Sequence, residues 1–402
     1  MYYFCINIAM KANSFYIFIL IIFFVSCSEP KKQALTPWGT TLEGDTAATV
    51  PSSFGIADIQ SNGELIMLTL SGPETYYDYH GHGMGLHYLL CEKFAEKLGV
   101  SLRVEVCKDT AEMVTRLKSG EADIIAFQMP RTLKGLRYAG VCDASHKWQW
   151  AVQESSRELA DSLDHWFKPD MVTKMKKEES FLLSVRSITR HVYSPMLNRT
   201  NGTISHYDHH FRRYAPLARW DWRLLAAQCY QESTFDPKAH SWAGACGLMQ
   251  IMPSTADHLG LSRDNIYNPE QNIAAAVKYI RELSTYFEDV PSAERTLFAL
   301  ASYNGGYHHI RDAMALASKH GRNAHSWADV REFVLKLGTA PYYNDPVVKH
   351  GYMRGYETAD YVDKIRSRWA QYRGVAAGGS MGAGSDFVTQ PERARRNYKW
   401  HL

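Results

Sequence analysis

Glu232 ends an apolar helical stretch, within Tyr230-Gln231-Glu232-Ser233. A carboxyl placed there can be partly desolvated by Leu225, Cys229 and their neighbours. Desolvation disfavours the anion and raises the pKa, which is what a general acid near neutral pH requires. Ser233 is close enough in sequence to reach the carboxyl or a bound molecule. Taken alone, Glu232 reads more simply as a solvent-exposed helix-end residue. The motifs downstream of it, in their order, reverse that. Gly244-Ala245-Cys246-Gly247-Leu248-Met249-Gln250-Ile251-Met252-Pro253 joins a glycine-rich turn to Met and Gln side chains. Glycine lets the backbone approach a ligand closely, and the Gln250 amide offers both a donor and an acceptor. Ala301-Ser302-Tyr303-Asn304-Gly305-Gly306 then ends a helix on an aromatic and an amide. Aromatic faces suit the apolar faces of sugars, and amides suit their edges.

Two different patterns must position these residues. From Gly55 to Phe167 apolar runs alternate with helical periods. Strands are expected at Leu65–Leu70, Leu102–Val106, Asp123–Phe127 and Trp148–Val152. Helices are expected at Gly85–Leu98, Ala111–Lys118 and Arg157–Phe167. Such alternation predicts a mostly parallel α/β sheet. From Ile204 to Arg373 the pattern is mainly α. Asp221 can cap a helix over Trp222–Glu232. Asn268-Pro269 is a start signal, and Ile273, Val277, Ile280 and Phe287 form a core-facing stripe after it. Pro253 opens a short helix, and further helices are expected after Ser292 and over Ile310–Lys319, Trp327–Leu337 and Glu357–Tyr372. The expected division is 1–27 signal peptide, 28–55 linker, 56–168 α/β lobe, 169–203 charged connector, 204–373 helical domain and 374–402 basic tail.

The 402 residues suffice for two domains, and a net charge of +3 is too weak a basic balance to predict nucleic acid as a partner. The apolar run Phe15–Val25, which follows Lys11 and is 11 residues long, has the size of an export-signal core and is short for a membrane span of about 20. Ser26-Cys27 comes next. Of the seven cysteines, Cys91, Cys107, Cys142, Cys229 and Cys246 remain once Cys5 and Cys27 are set aside. An exported chain can oxidise such residues. Cys229 and Cys246 flank the key motif and are the preferred pair for a disulfide, with small buried thiols as the alternative. No Cys/His spacing predicts a metal, and no motif predicts a cofactor.

The helical half resembles the lytic transglycosylases of the goose-lysozyme-like, soluble transglycosylase type. The resemblance runs from Tyr207-Asp208 to Tyr361. It is carried by Asp221-Trp222-Arg223-Leu224-Leu225-Ala226-Ala227, Gln231-Glu232-Ser233, Ser241-Trp242-Ala243-Gly244-Ala245, Gly247-Leu248-Met249-Gln250, Tyr303-Asn304 and Glu357-Thr358-Ala359-Asp360-Tyr361-Val362. The first half resembles extracellular solute-binding proteins of the amino-acid type, through Tyr76-Tyr77, Gly83-Met84-Gly85-Leu86, Phe94–Val100 and Leu117–Asp123. It departs from them in length. The chain passes from Arg131-Thr132 almost directly to the strand at Trp148, leaving room for one lobe. Tyr76, Tyr77, Thr132 and Arg137 stand where such proteins would hold a ligand. The combination is similar to the membrane-bound lytic murein transglycosylases of type F.

These resemblances imply a lysozyme-like fold acting on the β-1,4 bond between N-acetylmuramic acid and N-acetylglucosamine in peptidoglycan. Glu232 would be both acid and base, and the product 1,6-anhydromuramic acid. Ser233, Gln250, Tyr303, Asn304 and Tyr361 would orient the sugar, and Met249 would pack against it. A muramidase on the same fold would need a second carboxylate, for which Asp236 and Asp257 are the near candidates. A non-catalytic murein- or solute-binding lipoprotein is the other alternative. Ser26-Cys27 resembles a lipobox, which implies lipidation of Cys27 and a membrane anchor. The implied place is the envelope of a Gram-negative bacterium, at the outer membrane facing the periplasm. A muropeptide or protein partner at the first lobe would fit the same picture.

Overall fold

A computed structural model describes residues 55–376, the Val185 side chain apart. The expected signal peptide, Cys27 and nearly all of the linker and tail lie outside the described residues. No helix among those described is long and apolar enough to cross a membrane.

The first half runs α1 (Ile56–Asn62), β1 (Glu64–Thr69), β2 (Tyr77–Tyr79), β3 (His82–Met84), α2 (Leu86–Leu98), β4 (Ser101–Val106), α3 (Thr110–Lys118), β5 (Ile124–Pro130), β6 (Leu136–Cys142), β7 (Trp148–Gln153) and α4 (Arg157–Trp166). Five strands form one sheet in the order β4-β1-β5-β7-β6. β1 is parallel to β4 and β5, while β7 is antiparallel to β5 and β6. Alternate side chains serve opposite faces. Leu65, Met67, Ile124, Ala126, Trp150 and Val152 pack with Leu90 and Phe94 of α2 and Leu163 of α4. Leu68, Ile125 and Ala151 pack with Met113 and Leu117 of α3. A sheet covered on both faces explains the unbroken apolar run of β1.

The expected mostly parallel sheet is corrected to a mixed one, with two parallel and two antiparallel pairings. β6 is an addition to the expected strands, because Arg137 and Gly140 interrupt its apolar pattern. Gly140 has a φ of 70° and gives its amide to Asp164 Oδ1 at 2.6 Å, which anchors α4 on this strand. The charged segment after α4 is also more than a connector. It forms α5 (Asp170–Leu182), whose Met171, Val172 and Met175 pack against the α2 side of the sheet. A two-residue strand, β8 (Ile188–Thr189), comes after it.

The second half contains α6 (Asp208–Tyr214), α7 (Trp222–Ser233), β9 (His240–Ser241), α8 (Pro253–Leu259), α9 (Pro269–Thr285), α10 (Ser292–Gly305), α11 (Tyr307–Lys319), α12 (Trp327–Lys336), α13 (Ala340–Tyr343) and α14 (Gly355–Arg373). α7 runs through its core. Trp222, Leu224, Leu225, Ala226, Ala227, Gln228 and Cys229 are all buried, so the helix is enclosed on every side. Asp221 caps it by accepting from Arg223 N at 3.0 Å, and Trp369 Nε1 of α14 donates to the same carboxyl at 2.9 Å. That pair of contacts sets α14 alongside α7 and fixes where their opposite ends meet. Asn268 caps α9 by accepting from Gln271 N at 3.1 Å. Pro291 takes the N-cap position of α10 without a side-chain cap, and Ser292 is its first helical residue.

Candidate active site

Glu232 stands in the last turn of α7 and lines a cleft of about 1150 Å³. Protein encloses its carboxyl on the sides away from the cleft, and burial pushes the pKa up from 4.5 to about 7. Two contacts pull the other way without overcoming burial: a hydrogen bond from Tyr361 and the charge of Arg190. The Tyr361 hydroxyl of α14 donates to Glu232 Oε1 at 2.5 Å, and Gln228 Nε2 donates to that hydroxyl at 3.1 Å. Tyr361 is only 5% exposed. Arg190 Nη1 donates to the Glu232 main-chain carbonyl at 3.0 Å. A cation at a helix C-terminus meets the negative end of its dipole, so the contact holds the last turn in place. Beyond that turn Thr234 and Phe235 have φ of 53° and 64°, and Thr234 Oγ1 donates to His191 O at 3.0 Å. β8 also pairs with β9. The segment expected to be a connector thus braces the loop that follows Glu232.

The glycine-rich motif folds as a tight turn in which Cys246 and Ile251 exchange backbone hydrogen bonds at 3.0 Å each. Gly247 has a φ of 76°, and a Cβ there would stand 2.7 Å from Asn272 Nδ2 and 2.9 Å from Ile266 O. Only glycine fits both constraints. Asn272 of α9 is fully buried and holds the turn from beneath. It accepts from Met249 N at 2.8 Å and donates to Cys246 O at 3.1 Å and Ile266 O at 2.7 Å. Gln250 adopts a φ of 46° and lines the cleft. Its amide nitrogen donates to Ala239 O and Gly247 O at 3.1 and 3.0 Å. Tyr303 and Asn304, at the end of α10, also line the cleft. Tyr303 donates to Met249 O at 2.7 Å, and Asn304 Oδ1 accepts from Thr358 Oγ1 of α14 at 2.8 Å.

Three expectations are corrected. Ser233 is fully buried and turns its hydroxyl back to Cys229 O at 3.2 Å, so it does not face the cleft. The Met249 side chain is also fully buried in the helical core, and its backbone alone, N to Asn272 and O to Tyr303, serves the site. Cys229 and Cys246 are free thiols. Cys229 points into the packed side of α7 against Leu248 O at 3.4 Å, while Cys246 reaches Tyr267 OH at 3.2 Å. The candidates for a second carboxylate are engaged elsewhere. Asp236 accepts from His191 N and Lys238 N, and Asp257 pairs with Arg263 at 2.5 Å. Within the cleft, Asp345, Glu357 and Asp360 are each ion-paired, to Lys319, Arg354 and Lys364 respectively, while Asp78 accepts from Gly81 N at 3.1 Å in the β2–β3 turn.

Several contributors carried no sequence signal strong enough to find. Arg190 lies in a charged stretch with no local motif. Asn272 left a faint one, a polar residue beside the apolar stripe of α9. Trp242 and the β2–β3 hairpin form another part of the cleft. Tyr79 and Trp242 lie with parallel rings 6.2 Å apart, and His82 Nε2 is 2.9 Å from Ala243 O. Of the four positions considered for a solute, Tyr76 and Tyr77 line the cleft, whereas Thr132 and Arg137 do not. Tyr77 packs on Tyr352 at 5.0 Å, and Arg137 donates to Glu154 O at 3.0 Å. Among the described residues no group of three or more His, Cys, Asp or Glu could hold a metal.

Residues 210–326 match the family model for the transglycosylase SLT domain. The chain carries a transglycosylase SLT domain. The chain is similar to the 70 kDa soluble lytic transglycosylase SLT70 of Escherichia coli, at 27% identity over 42% of this chain and 24% of that one, with a TM-score of 0.32. The chain thus spans about a quarter of that protein's length. Slt from Pseudomonas aeruginosa is similar at 22% identity over 42% of this chain and 24% of that one, with a TM-score of 0.31. The chain is also similar to domain 1 of TmArgBP in its arginine-bound form, at 21% identity over 29% of this chain and 97% of that one, with a TM-score of 0.25.

Proposed function

We propose that the protein is a peptidoglycan lytic transglycosylase that cleaves the β-1,4 bond between N-acetylmuramic acid and N-acetylglucosamine and leaves 1,6-anhydromuramic acid. The observation that carries this reading is Glu232, a cleft carboxyl held by Tyr361 and pushed to about 7 by burial. Such a group keeps its proton near neutral pH and can also take one back. Most glycosidases use two carboxylates, with substrate-assisted families as exceptions. Here Asp345, Glu357 and Asp360 are ion-paired and Asp78 is held in the β2–β3 turn by Gly81 N, which favours a one-carboxylate route.

In that route Glu232 gives its proton to the glycosidic oxygen. The bond from muramic acid C1 to that oxygen breaks, and N-acetylglucosamine leaves with a 4-hydroxyl. The substrate's own N-acetyl group supports the cation at C1. The muramic acid 6-hydroxyl then closes onto C1 and returns its proton to Glu232, so no water is consumed. Attack from within one sugar gains from proximity. Gln250, Tyr303 and Asn304 border the same cleft and are proposed to orient the sugar.

Clearing of purified peptidoglycan tests this reading. Wild type should lose activity as pH rises through about 7, where Glu232 ionises, and Glu232→Gln should be inactive throughout. Clearing by Glu232→Gln at the wild-type rate would remove Glu232 from the mechanism. We further propose that lipidation of Cys27 anchors the chain at the outer membrane facing the periplasm. Cys27→Ala should then move it from the membrane to the soluble fraction, and an unchanged distribution would count against the anchor.

A further inference from the structure

Gln228 is a polar residue where the fold asks for an apolar one. It lies on α7 among Leu224, Leu225 and Ala227, with no exposed surface. Its Oε1 is buried without a hydrogen-bond partner, a loss of solvation that costs stability. Its Nε2 donates to the Tyr361 hydroxyl at 3.1 Å. That hydroxyl has a single hydrogen and stands 2.5 Å from Glu232 Oε1.

Resting on the function proposed above, we infer that Gln228 is a positioning residue: its amide occupies the acceptor side of the Tyr361 hydroxyl, directs the hydroxyl hydrogen to Glu232 Oε1, and leaves Oε2 as the oxygen that carries the transferred proton. The amide nitrogen can only donate. The Tyr361 oxygen must therefore accept from it, and its own hydrogen goes to Glu232. Oε1 is then an acceptor in both ionisation states. When the carboxyl is protonated, the hydrogen sits on Oε2. Without Gln228, the acid could place its hydrogen on Oε1 and donate to Tyr361, turning the proton onto the tyrosine instead of the glycosidic oxygen. Reversing the amide would have the same effect, because its oxygen would claim the tyrosine hydrogen. The unpartnered Oε1 is thus the cost of presenting the nitrogen.

The test uses the full chain as wild type, Gln228→Met, Gln228→Leu, Tyr361→Phe and Gln228→Met/Tyr361→Phe. The Glu232 carboxyl carbon is followed by NMR titration, with its resonance identified by loss in Glu232→Gln. Removing the donor to Tyr361 weakens the hydrogen bond that stabilises the Glu232 anion. Gln228→Met and Gln228→Leu should therefore titrate higher than wild type by up to about one pH unit. Tyr361→Phe should titrate higher still, and the double variant should match Tyr361→Phe, because Gln228 acts only through the tyrosine. Turnover on peptidoglycan should fall about tenfold in the Gln228 variants, while Tm is unchanged or higher. A merely structural role would instead lower Tm and leave the titration in place. An unmoved titration in both single Gln228 variants, or a shift that adds to that of Tyr361→Phe, would overturn the inference. The titration reads this coupling whether or not the chain cleaves glycan. Failure of wild type to cleave would count against the proposed function alone.

Discussion

A glutamate that must keep its proton near neutral pH works against the fold that holds it. Glu232 titrates at about 7 in the native chain and near its ordinary 4.5 when unfolded. The native state therefore binds this proton more tightly. Its contribution to stability is fully present below the unfolded value and is lost as pH rises through the folded one. Glu232→Gln should match wild type in stability at pH 4. At pH 8 it should be more stable by on the order of 2 kcal/mol, allowing for solvent reaching the carboxyl from the cleft. Calorimetry at the two pH values checks this, and a difference that does not change with pH would contradict it. The cysteines make a second test at this scale. Cys229 and Cys246 flank the motif, which favours a bridge on sequence grounds, yet sequence proximity does not set side-chain direction. One faces the core and the other faces Tyr267. Reductant should leave Tm unchanged, whereas a fall of several degrees would show a bridge between them or another pair.

Among the elements, helix starts were legible where a local rule acts. Asp221 and Asn268 both cap as their sequence contexts predict, because capping depends on neighbours two or three residues away. β6 and α5 were not legible as elements of the sheet and its packing. Gly140 is explained by Asp164, and Met171 by the α2 side of the sheet, both partners set by tertiary structure. The site divides the same way. Glu232, Gln250, Tyr303 and Asn304 could be picked out by motif, but Arg190 and Asn272 act from segments whose local sequence has no reason to approach the cleft. Asn272 is the sharper case. It makes three buried hydrogen bonds beneath the Gly247–Gln250 turn. Asn272→Ala should destabilise the protein by about 3 kcal/mol by stranding those groups, and should reduce activity as the turn shifts. Asp257→Ala, which removes a surface ion pair, should change stability by less than about 1 kcal/mol. Denaturant unfolding separates the two, and equal effects would contradict the role given to Asn272.

At the scale of the molecule, the α/β lobe supplies part of the cleft wall. Tyr352 N donates to Ser71 Oγ at 2.8 Å, Tyr77 packs against Tyr352, and Tyr79 lies parallel to Trp242. The lobe's first strand end and hairpin thus meet the residues around the cleft. Trp242→Ala removes the ring facing Tyr79 and should cost about 1 kcal/mol of stability. It should also weaken cleavage, because the same ring borders the cleft; thermal unfolding and clearing assays read the two effects. A variant that cleaves like wild type would place Trp242 outside the glycan path. The central claim is that Glu232 acts alone, as acid and then base, on a bond whose attacking hydroxyl belongs to the substrate. Mass spectrometry of purified peptidoglycan digested by wild type beside Glu232→Gln tests it most directly. Fragments ending in 1,6-anhydromuramic acid from wild type and none from Glu232→Gln are predicted, whereas reducing-end muramic acid from wild type, or anhydro product from Glu232→Gln, would contradict it.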